Sequence, residues 1–153
     1  MRIERVTVGP ERVDVVVVTA EADARRRVGE TAAARVLELL PALASHRCEN
    51  HEGRAFVDEI AATEVPHLFE HVTLELMARA GSPRGLRGET SWDFRRDGRG
   101  IYHVSLQYDD DLVCLGAIKT ACAMIGHVMD GAPAPDVDAD ILRLKGIRSR
   151  PSA

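Results

Sequence analysis

Val13 to Ala20 reads V-D-V-V-V-V-T-A. Its β-branched side chains lose rotamer freedom in a helix and pack well on a pleated surface, so the segment is a strand. Arg2 to Val8 reads as a second strand, and Gly9-Pro10-Glu11-Arg12 supplies the turn between the two. An N-terminal hairpin commits the chain to a sheet that another layer must cover. Glu89 to Phe94 and Ile101 to Tyr108 form a second pair around the glycine-containing turn Arg95-Arg96-Asp97-Gly98-Arg99-Gly100. In the last strand Tyr102, Val104, Leu106 and Tyr108 alternate with His103, Ser105 and Gln107, so one face is apolar and the other polar.

Helices account for the remainder. Ala22 to Ala44 is rich in Ala, Arg, Leu and Glu and reads as one helix, adjusted near Gly29. Ser45 to Arg54 is a polar loop. Phe56 to Ala80 is helical in character, broken at or before Pro66. Asp110 to Met129 is a helix with an acidic start, Ala132-Pro133-Ala134-Pro135 a rigid connection, and Asp136 to Lys145 a last short helix. The order β-β-α-α-β-β-α-α predicts an α+β fold of two layers, an antiparallel sheet with helices on one face. With 153 residues the chain can bury a real core, so residues 1–148 are expected to form one domain, with 149–153 a flexible tail.

Chemistry concentrates in His67-Leu68-Phe69-Glu70-His71. Positions i and i+4 of a helix share a face, so two imidazoles there can grip one metal ion, with zinc the expected cofactor. A carboxylate at i+3 lies on the same face and can deprotonate a water, which makes Glu70 the candidate catalytic residue. Leu68, Phe69, Val72 and Leu76 form an apolar arc that leaves the triplet free to face a cleft. Pro66 suits the first helical position, Glu64 the first turn, and Gly81 the C-terminal cap. Glu75, one turn beyond His71, is the candidate substrate-binding residue. The same spacing serves an exposed helix glutamate or a group that tunes a histidine.

Charge and cysteine usage narrow the classes. A net charge of -4 and pI near 5.9 argue against a general nucleic-acid binder. The runs Arg25-Arg26-Arg27 and Arg95-Arg96 read as solvated faces. Cys48, Cys114 and Cys122 lack C-x-x-C spacing, which suggests small core residues in a reducing compartment. With no signal peptide and no apolar run approaching a membrane span, the chain reads as cytoplasmic. His46 and His51 read as solvated loop histidines, His103 as a sheet histidine, and His127 as a helix C-terminal cap.

Two family resemblances follow from these residues. Leu39-Leu40-Pro41-Ala42-Leu43 with His46 and Cys48, Gly53 to Phe56, HLFEHVTLEL at 67–76, Ala80-Gly81 and GIYHVSLQY at 100–108 resemble, in order, the N-terminal domain of cyanophycin synthetase. The resemblance implies a free-standing version of that domain, without the synthetase's ATP-dependent ligase modules. Its implied function is either metal-dependent hydrolysis of amide bonds in a peptide-like polymer such as cyanophycin, or non-catalytic holding of polymer or a partner. The chain reads Arg87-Gly88-Glu89-Thr90 where members commonly read G-R-T-R, and Gln107 where a glutamate is usual. Such a polymer would carry arginine side chains, for which Glu75, Glu89, Asp93 and Asp109-Asp110-Asp111 are candidate carboxylates. Homo-oligomerisation is the other association expected.

HxxEH and the element order also resemble the pitrilysin-like, inverted-zincin metallopeptidases. Their third zinc ligand is a carboxylate on a helix well downstream, which implies Asp140 here, with Asp136, Asp110, Asp111 and Cys114 as rivals.

Overall fold

Valines that alternate in the sequence divide one sheet into two faces. A computed structural model describes residues 1–48 and 53–150. Strand β1 (Arg2–Val8) pairs antiparallel with β2 (Arg12–Val18), β2 with β4 (Ile101–Gln107), and β4 with β3 (Gly88–Ser91), in the order β1-β2-β4-β3. Val13, Val15 and Val17 of β2 lie opposite Leu106, Val104 and Tyr102 of β4, and all six are buried. Their neighbours Asp14, Val16, His103 and Ser105 form the other, more open face. The expected two-layer α+β architecture with an antiparallel sheet is the one observed.

Among the described residues six helices are interspersed with the strands: α1 (Glu30–Leu39), α2 (Phe56–Glu59), α3 (Val65–Arg79), α4 (Phe94–Asp97), α5 (Asp111–Asp130) and α6 (Val137–Arg148). The core lies between the sheet's apolar face and α3 and α5, where Leu68, Phe69, Val72, Leu76, Ala117, Ala121 and Met124 are buried. Polar caps set the helix starts. Asp110 accepts from the Val113 amide, Asp136 from that of Ala139, and Asp93 from those of Arg95 and Arg96.

Several expected boundaries move. Ala22 to Ala44 is not one helix: a 3₁₀ turn spans Glu21–Asp23, α1 starts only at Glu30, and a second 3₁₀ turn spans Pro41–Ser45. Gly29 sits at φ 79°, a left-handed conformation that interrupts helix. The segment before it runs extended beside the approach to α3, with Val28 donating to Thr63, Gly29 to Ala61 and Val65 to Arg26. Arg25, Arg26 and Arg27 are exposed, as expected of a solvated face, and they also form ion pairs. Arg25 and Arg27 reach Glu64 at 2.8 and 3.7 Å, and Arg26 reaches Asp130 at 2.9 Å. The second hairpin connection contains α4, and Arg96 pairs with Asp97.

A further correction concerns α5. It is 20 residues long, and an 18-residue window within it has mean hydropathy 1.7, long and apolar enough to cross a membrane by length and composition. Here α5 is a central helix packed against α1, α3 and α6, which accounts for its apolarity.

Tyr102 ties β4 to the segment that precedes α1. Its ring is fully buried, and its hydroxyl donates to the Ala24 carbonyl at 2.6 Å. Tyr102→Phe should leave that buried carbonyl unsatisfied and cost about 1–2 kcal/mol in urea unfolding, with the fold retained. An unchanged unfolding midpoint would show that the bond adds nothing.

Candidate metal centre

Helix α3 is buried nearly all round, so its polar side chains enter the interior with its apolar ones. Val65 is its first residue, with Pro66 in the first turn and Ala80 as C-cap before Gly81. Glu70, His71, Thr73 and Glu75 are buried and His67 is half-buried. His67, Glu70 and His71 line one cleft of about 850 Å³, between α3, the segment 45–48 and the segment 83–90.

Three donor atoms converge there. His67 Nε2 and His71 Nε2 are 3.2 Å apart. Cys48 Sγ lies 3.6 Å from His71 Nε2 and 3.9 Å from His67 Nε2. Zinc bonds of about 2.0–2.1 Å to nitrogen and about 2.3 Å to sulfur, at tetrahedral angles, require about 3.3 Å between two nitrogens and about 3.6 Å between nitrogen and sulfur. The three donors are thus close enough together to hold one metal ion, with the Cys48–His67 distance the longest of the three.

The outward ring nitrogens are also held. His67 Nδ1 is 2.6 Å from Thr63 Oγ1. His71 Nδ1 is 3.1 Å from His46 Nδ1, and His46 Nε2 is 2.8 Å from Glu75 Oε2. Phe56 stacks on the His71 ring at 3.8 Å and 14°. Burial lowers the pKa of His67, and burial with the neighbouring histidines takes His71 down to about 2. Both rings are thus neutral at neutral pH, the form that binds a metal. Burial, and then Glu59, push the Cys48 thiol up to about 12.

Glu70 faces the cleft from the same helix. Burial raises its carboxyl to about 7, against the opposing hydrogen bond from Thr90 Oγ1 to Glu70 Oε2 at 2.6 Å. Strand β3 comes this close because Gly88 has no side chain. A Cβ there would lie 2.6 Å from Glu70 Cγ and 2.7 Å from Oε1.

The other predicted site residues lie elsewhere. Asp140 on α6 is not brought to the histidines: it accepts from Thr120 at 3.0 Å and pairs with Arg143. Asp110 and Asp136 are spent as helix caps, Asp111 accepts from the Leu112 amide, and Cys114 is buried in the core. Among the described residues the third donor is Cys48. Glu75 is neither exposed nor part of the cleft lining. It is fully buried and bound by His46 and by Arg84 at 3.1 Å. His46, read as a solvated loop residue, is instead half-buried against His71; His51 lies outside the described residues. His103 pairs with Asp97, and His127 donates to the Ala132 carbonyl.

Cys48 and His46 escaped the residue-level reading, although a signal existed. Around them the loop doubles back: Arg47 bridges Ala55, and the Phe56 amide donates to His46 O at 2.7 Å. In an extended segment residues i and i+2 share a face, so the spacing His46-x-Cys48 turns both side chains towards α3.

A family profile for the cyanophycin synthase-like N-terminal domain matches residues 15–130, about three quarters of the chain. No curated protein matches it. The pitrilysin-like resemblance rests on the motif and element order alone, and the third donor here is a thiol before the motif helix rather than a carboxylate after it.

Gly88→Ala should force Glu70 or β3 to move and cost about 1–3 kcal/mol in chemical unfolding. Wild-type stability in that variant would show that the close approach is not a packing requirement.

Proposed function

The chain belongs to the family of cyanophycin synthase-like N-terminal domains, and on that premise we propose that it is a zinc-dependent hydrolase of amide bonds in a peptide-like polymer such as cyanophycin. The observation that carries this reading is the spacing of Cys48 Sγ, His67 Nε2 and His71 Nε2, with Glu70 in the same cleft. Zinc held by these residues would supply a Lewis acid and lower the pKa of a water.

The chain's own residues do the rest. His67 and His71 are held by Thr63 and His46, so their inward nitrogens need little reorganisation. Thr90 orients the Glu70 carboxylate, which takes a proton from water and returns it to the leaving amine. Cleft shape and charge then select the polymer. Of the candidate carboxylates only Glu89 lines the cleft, beside Arg12, Arg47, Arg84 and Arg87. These arginines suit the carboxylates of an aspartate-based chain, and Glu89 suits a guanidinium. The same lining would also let a protein without activity hold polymer, which is the alternative that the experiment separates.

Protein purified without an affinity-column metal should hold about one zinc ion per chain by elemental analysis, and His71→Ala should abolish it. Wild type that takes up no zinc from excess metal would overturn the site.

Glu70→Gln should keep zinc and cut hydrolysis by on the order of 10²-fold or more. Undiminished hydrolysis would place the base elsewhere. Wild type incubated with zinc should shorten cyanophycin and leave an unrelated peptide mixture intact, as read by product size. Intact cyanophycin that co-sediments with the protein would identify a binding module.

A further inference from the structure

We propose that His46 is a positioning residue for the metal centre, fixing the tautomer and orientation of His71 through a one-way chain of hydrogen bonds that ends on Glu75 and Arg84. The inference rests on the reading of Cys48, His67 and His71 as metal donors.

The geometry is a line of four side chains. His71 turns Nε2 towards the other donors and Nδ1 towards His46 Nδ1, 3.1 Å away. His46 Nε2 lies 2.8 Å from Glu75 Oε2, and Arg84 NH1 donates to that same oxygen at 3.1 Å. Two Nδ1 atoms at hydrogen-bond distance share a single proton, so one ring donates and the other accepts.

Glu75 decides which. Burial alone would raise its carboxyl, but the bonds from His46 and Arg84 hold it below the ordinary range, so it is a carboxylate and accepts only. His46 must therefore carry a proton on Nε2. His71 turns Nε2 to the other donors, and a metal-binding lone pair there leaves its proton on Nδ1, which donates to Nδ1 of His46. The lone pair of His71 is left on Nε2, where Cys48 and His67 converge. Reversing the chain would set a His46 lone pair against the carboxylate and place the His71 proton among the metal donors.

Glu75 Oε1 gives this chain a second support. It is buried and has no hydrogen-bond partner among the described residues. An orphaned carboxylate oxygen costs stability. A carboxylate kept fully buried despite that cost, one turn from His71, holds His46 from inside while Arg84 closes on the same oxygen from the surface.

Two measurements test the proposal. Nitrogen-15 NMR of the ring nitrogens in metal-free protein should find His46 protonated on Nε2 and His71 on Nδ1. Zinc affinity, measured by competition with a chelator, should fall about 10–100-fold in His46→Ala and Glu75→Gln. His46→Asn should recover most of it, because its amide oxygen can accept where Nδ1 did. Circular dichroism of each variant checks that the fold persists. A His46 ring protonated on Nδ1, or zinc binding by folded His46→Ala as tight as wild type, would overturn the relay. Wild type that binds no zinc would instead overturn the metal reading, and the ring tautomers would still decide the relay.

Discussion

A helix buried almost all the way round has to find a partner for every polar side chain it carries. Helix α3 brings His67, Glu70, His71 and Glu75 inside, and much of the neighbouring structure answers them one by one. Thr63 meets His67, His46 stands between His71 and Glu75, Arg84 closes on Glu75, and Thr90 meets Glu70. None of these partners is apolar filler, and each comes from a different connection or strand. An α3 with leucine at those positions would pack against the same sheet without any of them. The pairing of residues 46–48 with 54–56 and the close pass of β3 bring partners to polar groups of α3.

The family match runs from 15 to 130 and contains every residue of the centre, from His46 to Thr90. Strand β1 and helix α6 lie outside it. They complete the sheet edge and cover α5, and no side chain from either lines the cleft. The stretch Arg87-Gly88-Glu89-Thr90 forms one wall of the cleft, and Gln107 accepts from the Arg87 amide.

Periodicity made the strands and the motif helix legible, because alternating burial leaves its mark on neighbouring residues. The valines of β2 and the alternation through β4 needed no tertiary knowledge. Asp140 misled because helical spacing says which residues share a face but not which neighbour that face meets; Thr120 and Arg143 occupy it. Glu75 looked like a surface residue since sequence does not show that α3 is covered on its polar side as well. Cys48 was the hardest to see. Its place depends on a loop returning on itself through the Arg47 and Ala55 bridge, a pairing set by backbone bonds that leave no trace in composition. The helix drawn through Gly29 failed for the same reason: residues 26–29 find backbone partners at 61–65, and those outweigh local propensity.

Strand β3 is four residues long and pairs on one side only. It also supplies both Thr90 and the side-chain-free position at Gly88 that let Glu70 sit where it does. An edge of this length is the part of a sheet that opens most readily without global unfolding. The lifetime of the Glu70 environment is therefore governed by local fraying of a few ladder bonds rather than by the stability of the domain. Amide hydrogens of β3 would report on that lifetime, by exchanging with solvent sooner than those of the central pair β2 and β4.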